Sequence, residues 1–139
     1  MVLDKKVQRD VLIVDDDVSI CEVLKSYCVN LGCFKNIVCA HDGIMAAQKL
    51  RNQKFALVLL DMNLPKKSGF DILTEFSSDF LNQKDKILVV SGTLEKDLIA
   101  KLIGSGVKTF LVKPFDEATF QERVLKILSS TAVNSTPKP

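Results

Sequence analysis

Five short apolar runs alternate with longer amphipathic stretches along this chain, and no hairpin signal joins any two of them. The runs cover residues 11–14, 34–39, 55–60, 87–90 and 107–112. Strand-like runs separated by helical patterns need crossover connections, so the chain is expected to form an α/β protein with a parallel sheet covered by helices on both faces. Crossovers of this kind are right-handed. A (βα)5 doubly wound, flavodoxin-like sheet in the order 2-1-3-4-5 follows, with a ligand site where strands 1 and 3 diverge. Three runs end on charge. Residues 11–14 stop at Asp15-Asp16-Asp17, residues 55–60 stop at Asp61, and the fifth run stops at Lys113-Pro114. A charged residue on the last rung of a buried strand is out of place in a core but suits the carboxyl edge of a parallel sheet.

At 139 residues the chain suits one domain with a real core. Its composition, 47% hydrophobic and 26% charged, is that of an ordinary globular protein. The net charge of +2 by itself argues neither for nor against nucleic acid, but no strongly basic stretch is present, so no direct nucleic-acid partner is expected. No apolar run reaches membrane-spanning length, and residues 1–10 lack a signal-peptide apolar region, so the expected location is the cytoplasm with no membrane partner. Cys21, Cys28, Cys33 and Cys39 include no closely spaced pair of the zinc kind, and the single histidine, His41, precedes a helix start. The cysteines fit small hydrophobes in a reducing compartment better than a zinc site or a disulfide framework. Cys21 and Cys28, seven apart, share a helix face.

Helix punctuation is legible. Residues 18–31 carry Ile20, Leu24, Tyr27 and Leu31 at helical spacing, with Asp17 as N-cap and Gly32 as terminator. Asp42-Gly43 opens a second helix through Ala46, Ala47 and Leu50. Ser68 and Asp71 form a capping box ahead of Ile72, Leu73, Phe76 and Phe80. Thr93 is placed to cap a fourth helix bearing Leu94, Leu98 and Leu102, broken by Gly104 and Gly106. Asp116 caps a fifth with Phe120, Val124 and Leu128. Residues 1–7 read as an extension, 8–129 as the domain, and 130–139 as a disordered tail or the start of a linker.

Carboxylates and an ammonium at one sheet edge describe a cation and phosphoryl site. The motifs Val11-Leu-Ile-Val-Asp15-Asp16-Asp17, Leu-Leu-Asp61-Met-Asn63-Leu-Pro65 with Gly69, Val-Val-Ser91-Gly92 and Phe110-Leu-Val-Lys113-Pro114 occur in order, each at the end of its expected strand. Over residues 8–129 the chain resembles a response-regulator receiver domain of two-component phosphorelay signalling (CheY-like). The resemblance implies that Asp61 accepts a phosphoryl group from a histidine kinase or histidine phosphotransfer protein. It implies Mg²⁺, or Mn²⁺, held by Asp16 and Asp61 directly, by Asp15 mainly through water, and by the backbone carbonyl of Asn63. Lys113 would offset charge, Ser91 would be the switch hydroxyl, Phe110 the switch aromatic, and Lys113-Pro114 a cis peptide. Asn63 and Thr93 sit where the family tunes phosphate lifetime. The chemistry agrees: carboxylates are recognised nucleophiles, and Mg²⁺ takes oxygen ligands while keeping several waters. Without a cation, three clustered carboxylates would drive at least one toward protonation.

The resemblance further implies a switch that catalyses only its own phosphorylation and dephosphorylation. It would act on a downstream protein partner through helix 4, strand 5 and helix 5, the face the family also uses for homodimers. Lys96, Lys101, Lys108 and Lys126 lie there, as a docking face for an acidic partner or as a solvated face. A phosphate-independent docking module is the first alternative; the retained acceptor, acid pair, hydroxyl and lysine weigh against it. An aspartate-based phosphatase of the haloacid dehalogenase type needs a second acid two residues past its nucleophile, where this chain has Asn63. A dinucleotide-binding protein needs a Gly-x-Gly-x-x-Gly after the first strand, and none is present.

Overall fold

The apolar runs become five parallel strands, β1 (Asp10–Val14), β2 (Asn36–Ala40), β3 (Leu57–Leu60), β4 (Ile87–Ser91) and β5 (Thr109–Val112), hydrogen-bonded in the order β2-β1-β3-β4-β5. This is the expected order. In this computed structural model, residues 9–77 and 82–134 are described. Five helices connect or follow the strands: α1 (Val18–Leu31), α2 (Gly43–Asn52), α3 (Gly69–Ser77), α4 (Lys96–Gly104) and α5 (Glu117–Asn134).

Alternate strand residues feed two separate cores, because successive side chains point to opposite faces of a sheet. Leu12, Val14, Val58, Leu60, Ile87 and Val89 pack with Ala46 and Leu50 of α2, Ile72, Leu73 and Phe76 of α3, and Leu102 of α4. Val11, Ile13, Leu57, Leu59, Leu88 and Val90 pack with Cys21, Leu24 and Cys28 of α1 and Phe120, Val124 and Ile127 of α5. Burial on both faces is why β1, β3 and β4 read as continuous apolar runs rather than alternating ones.

The caps form as the residue types dictate. The Asp17 carboxylate accepts from the amides of Ser19 and Ile20, and Gly32 closes α1 in the left-handed region (φ 69°), donating to the Val29 carbonyl. Asp42 accepts from Met45 N and Asp116 from Thr119 N, both at 2.8 Å. Ser68 and Asp71 satisfy each other's amides reciprocally, at 3.2 Å each way.

Several boundaries move, each for a hydrogen-bonding reason. Phe55 stays outside β3 because its amide donates to the Asn82 side chain at 2.8 Å. Val107 stays outside β5 because its amide closes the α4 terminus on the Leu102 carbonyl. β2 starts at Asn36, where pairing with Asp10 begins, rather than at Phe34. Thr93 does not cap α4; that helix begins after Glu95, whose side chain makes no capping bond. Thr93 instead exchanges hydrogen bonds with Ser91. Helix α5 extends to Asn134, so the helix runs five residues into the segment expected to be an irregular tail. The proposed extension 1–7, Phe80 and residues 135–139 lie outside the described residues.

Candidate functional site

Three strands each hand one polar residue to the same edge. Asp15, just past β1, donates its amide to the Ala40 carbonyl of β2; Asp61, just past β3, donates to Val14 of β1; Lys113, just past β5, donates to Ser91 of β4. These bonds continue the ladders by one residue, so the side chains emerge together at the carboxyl edge where β1 and β3 diverge.

The resulting group is compact. Carboxylate oxygens of Asp15, Asp16 and Asp61 lie within 4.8 Å of one another. Asp15 is 1% exposed and Asp61 6%, whereas Asp16 faces solvent. Lys113 Nζ donates to Asp15 Oδ2 at 2.9 Å and lies 3.6 Å from Asp61 Oδ2. Asp61 Oδ1 accepts the Asn63 amide at 3.1 Å, and Asp15 Oδ1 accepts the Asp17 amide at 2.9 Å. The sequence expectation is therefore met for the gathering of Asp15, Asp16, Asp61 and Lys113, with the Lys113–Pro114 bond cis.

One ammonium against three carboxylates leaves the site short of positive charge. Burial pushes the Asp61 carboxyl above its ordinary range and the Asp15 and Asp16 charges add to this, while the Asn63 amide and Lys113 pull the other way. Burial by itself would lower the Lys113 pKa, but its hydrogen bond to Asp15 and the Asp61 charge outweigh that and hold the ammonium above its usual range. A net local deficit of two charges, offered by hard oxygen donors in a partly open pocket, fits a divalent cation of the Mg²⁺ or Mn²⁺ kind.

The remaining residues are less directly engaged. Ser91 is buried, and its hydroxyl donates to the Thr93 carbonyl at 3.1 Å. Phe110 is half-buried against the core facing α2, α3 and α4, and its carbonyl accepts from Arg123 Nε at 3.2 Å. It also lines a cleft of about 690 Å³ with Leu94, Val112, Lys108, Arg123 and Lys126. Lys101, grouped with that face from sequence, lies instead over the Phe70 ring, 4.7 Å from its centroid.

His41 has a place that sequence reading missed. Its Nδ1 donates to the Asp15 carbonyl at 3.1 Å, beside the Cys21 thiol, which reaches the same oxygen at 3.3 Å. Only strand pairing reveals this: Ala40 lies opposite Val14, which brings the next residue of β2 beside the next residue of β1. All four cysteines are free thiols, and burial pushes Cys21 and Cys28 up to about 12, as expected of small core hydrophobes.

Fold and site together define a doubly wound α/β protein with an acidic, lysine-bridged pocket at its topological switch point. The chain belongs to the response regulator receiver domain family, which it matches over residues 11–125, and is thus a receiver domain of two-component signal transduction. It is 32% identical over 117 residues to the chemotaxis protein CheY-3 of Vibrio cholerae, covering 84% of this chain and 89% of that one. It is 28% identical over 130 residues to the transcriptional regulatory protein ZraR of Klebsiella oxytoca, covering 94% of this chain but only 28% of that protein. Among solved structures, the signal receiver domain of a putative LuxO repressor protein from Vibrio parahaemolyticus superposes with TM-score 0.83 at 26% identity, over 93% of this chain and 96% of that one. The CheX–CheY–BeF3–Mg²⁺ complex from Borrelia burgdorferi includes a chain matching at TM-score 0.76 and 30% identity, over 86% of this chain and 88% of that one. Among the described residues no helix is long and apolar enough to cross a membrane.

Proposed function

We propose that this domain is a phosphorylation-activated switch whose acceptor is Asp61. The observation that carries the reading is the electrostatic deficit around Asp61: a buried carboxylate in a three-carboxylate group that shares one ammonium. Asp61 oxygen attacks the phosphorus of a phosphohistidine on a histidine kinase or phosphotransfer protein. The P–N bond breaks, the acyl phosphate forms, and the departing imidazole nitrogen takes a proton from solvent. Asp15, Asp16, Asp61 and the Asn63 carbonyl would hold Mg²⁺ or Mn²⁺, which supplies charge compensation for the incoming phosphoryl oxygens. Transfer through a loose transition state asks mainly for positioning and charge stabilisation. Lys113 already bridges Asp15 and Asp61, so a modest shift brings its ammonium to a phosphoryl oxygen. Ser91 would leave the Thr93 carbonyl to donate to the phosphoryl group, and Phe110 would turn inward as Ser91 moves.

The output is a change in the face made by α4, β5 and α5. The cleft there combines apolar Leu94 and Val112 with Lys108, Arg123 and Lys126, which suits an acidic, partly apolar protein partner or a second copy of the domain. The domain would catalyse only its own phosphorylation and dephosphorylation, in the cytoplasm. The test is exposure to acetyl phosphate and Mg²⁺ with intact mass spectrometry. A phosphoryl mass increment in wild type but not in Asp61→Asn supports the switch. No increment under conditions that label other receivers transfers the weight to a phosphate-independent docking module.

A further inference from the structure

Residues 61–69, the loop that follows Asp61, are fastened at two places, and one fastening lies on a different helix. The Gly43 amide at the start of α2 donates to the Pro65 carbonyl at 3.3 Å. Gly43 is buried so tightly against the loop that a Cβ there would meet the Lys67 carbonyl oxygen at 2.1 Å and Lys67 Cβ at 2.4 Å. The nearer obstacle is backbone, so no side-chain rotation relieves it. Asp42 divides its two oxygens: Oδ1 caps α2 through Met45 N at 2.8 Å, while Oδ2 pairs with Lys66 Nζ at 3.4 Å. Lys66 itself holds a left-handed conformation (φ 70°), and the Lys67 amide turns back to the Pro65 carbonyl at 2.7 Å. At the far end the Gly69 amide donates to the Met62 carbonyl at 3.2 Å, and a Cβ at Gly69 would come within 2.7 Å of Met62 Cα. Asn63 lies in the span between these fastenings, with its amide on Asp61 Oδ1.

We propose that the first turn of α2, through Asp42 and Gly43, latches this loop and so positions the Asn63 backbone and Asp61 for the divalent cation. The inference rests on the cation-dependent reading above and extends it to a helix that contributes no ligand. Gly43 is then a positioning residue. Capping alone accounts for one oxygen of Asp42, but not for the Lys66 pair or for the absence of room at Gly43. The loop cannot drift from α2 without losing all three contacts together.

The experiment is calorimetric titration of the full chain with Mg²⁺, run on wild type, Gly43→Ala and Gly104→Ala, with each thermal midpoint taken in EDTA. Residues that hold metal ligands in place typically cost ~10-fold or more in affinity when lost. Gly43→Ala is expected to weaken Mg²⁺ binding about 10-fold while remaining folded at the titration temperature. Gly104→Ala, which has nothing within 4 Å of the added methyl, should bind as wild type does. Replacing Lys67 by Gly in the Gly43→Ala background should not restore affinity, because the carbonyl obstacle remains. Mg²⁺ affinity within twofold of wild type in folded Gly43→Ala overturns the latch while leaving the switch reading intact; no Mg²⁺ binding by wild type overturns both. If Gly43→Ala does not fold, amide exchange on wild type decides. Mg²⁺ should slow the amides of residues 43–46 together with those of 62–69, and slowing of the loop alone overturns the latch.

Discussion

An aspartate stands at each end of β1, and the two are treated in opposite ways. Asp10, at the amino edge, has one donor for each oxygen: Asn36 Nδ2 at 3.0 Å and Gln53 Nε2 at 2.9 Å. Nearby, buried Asn82 accepts the Phe55 amide and donates to the carbonyls of Leu50 and Gln53. Asp15, just past the carboxyl end, shares a single ammonium with Asp61 and stands within 4.8 Å of two other carboxylates. The amino edge is settled by neutral partners and serves the fold. The carboxyl edge keeps one ammonium among three carboxylates, and on the proposed reading this is where stability is given up for chemistry.

The largest test of the contrast is chemical. Asp61→Asn should lose all phosphoryl labelling by acetyl phosphate in intact mass spectra, whereas Asn82→Ala should label normally wherever it is folded. Labelling of Asp61→Asn at the wild-type level would remove the carboxyl edge from the argument. Next comes stability at the amino edge. Asn82→Ala strands one amide and two carbonyls, and urea unfolding should show a loss of about 3 kcal/mol. A loss under about 1 kcal/mol would mean that water replaces the side chain there.

Asp61→Asn should have the opposite sign. In EDTA it should stabilise the protein by on the order of 1 kcal/mol, because it removes a crowded, buried charge. The raised Asp61 pKa sets the pH course. A carboxyl whose folded value lies above its unfolded one costs stability when ionised, and that cost disappears as pH falls through the folded value. The gap between variant and wild type should therefore be full at pH 7 and close on acidification toward about 4. Saturating Mg²⁺ should reverse it. A gap that is constant with pH would mean that the gain comes from packing and not from charge. The smallest effect belongs to the half-buried cap Asp42 and the exposed cap Asp116, whose carboxyls are held below the ordinary range chiefly by the amides of Met45 and Thr119. Their contribution is present above pH 3.8 and is lost as pH falls through the lowered folded values. Circular dichroism between pH 4 and pH 2 should thus show an added helical loss that Asp116→Asn partly removes.

Legibility followed the range of the interaction. The caps at Asp17, Asp42, Ser68 and Asp116 were readable because a cap involves residues two or three apart, and the alternation of runs was readable because burial on both faces leaves no polar side for a strand to show. Thr93 misled because α4 begins only after Glu95, two residues further on, while the Ser91 hydroxyl engages the Thr93 backbone amide and carbonyl. The ends of β3 and β5 were not readable, since they depend on Asn82 and on the α4 terminus claiming an amide.

By itself, then, the sequence determined the five strand–helix units, the caps, and the identities of Asp15, Asp16, Asp61 and Lys113 at run ends, because apolar periodicity and punctuation are properties of neighbours along the chain. Only the tertiary structure decided that His41 and Cys21 brace the Asp15 carbonyl, that Lys101 turns to Phe70, and that α2 fastens the loop after Asp61. Each of these joins residues on different elements. Their distances exist only once strand register has brought those elements together.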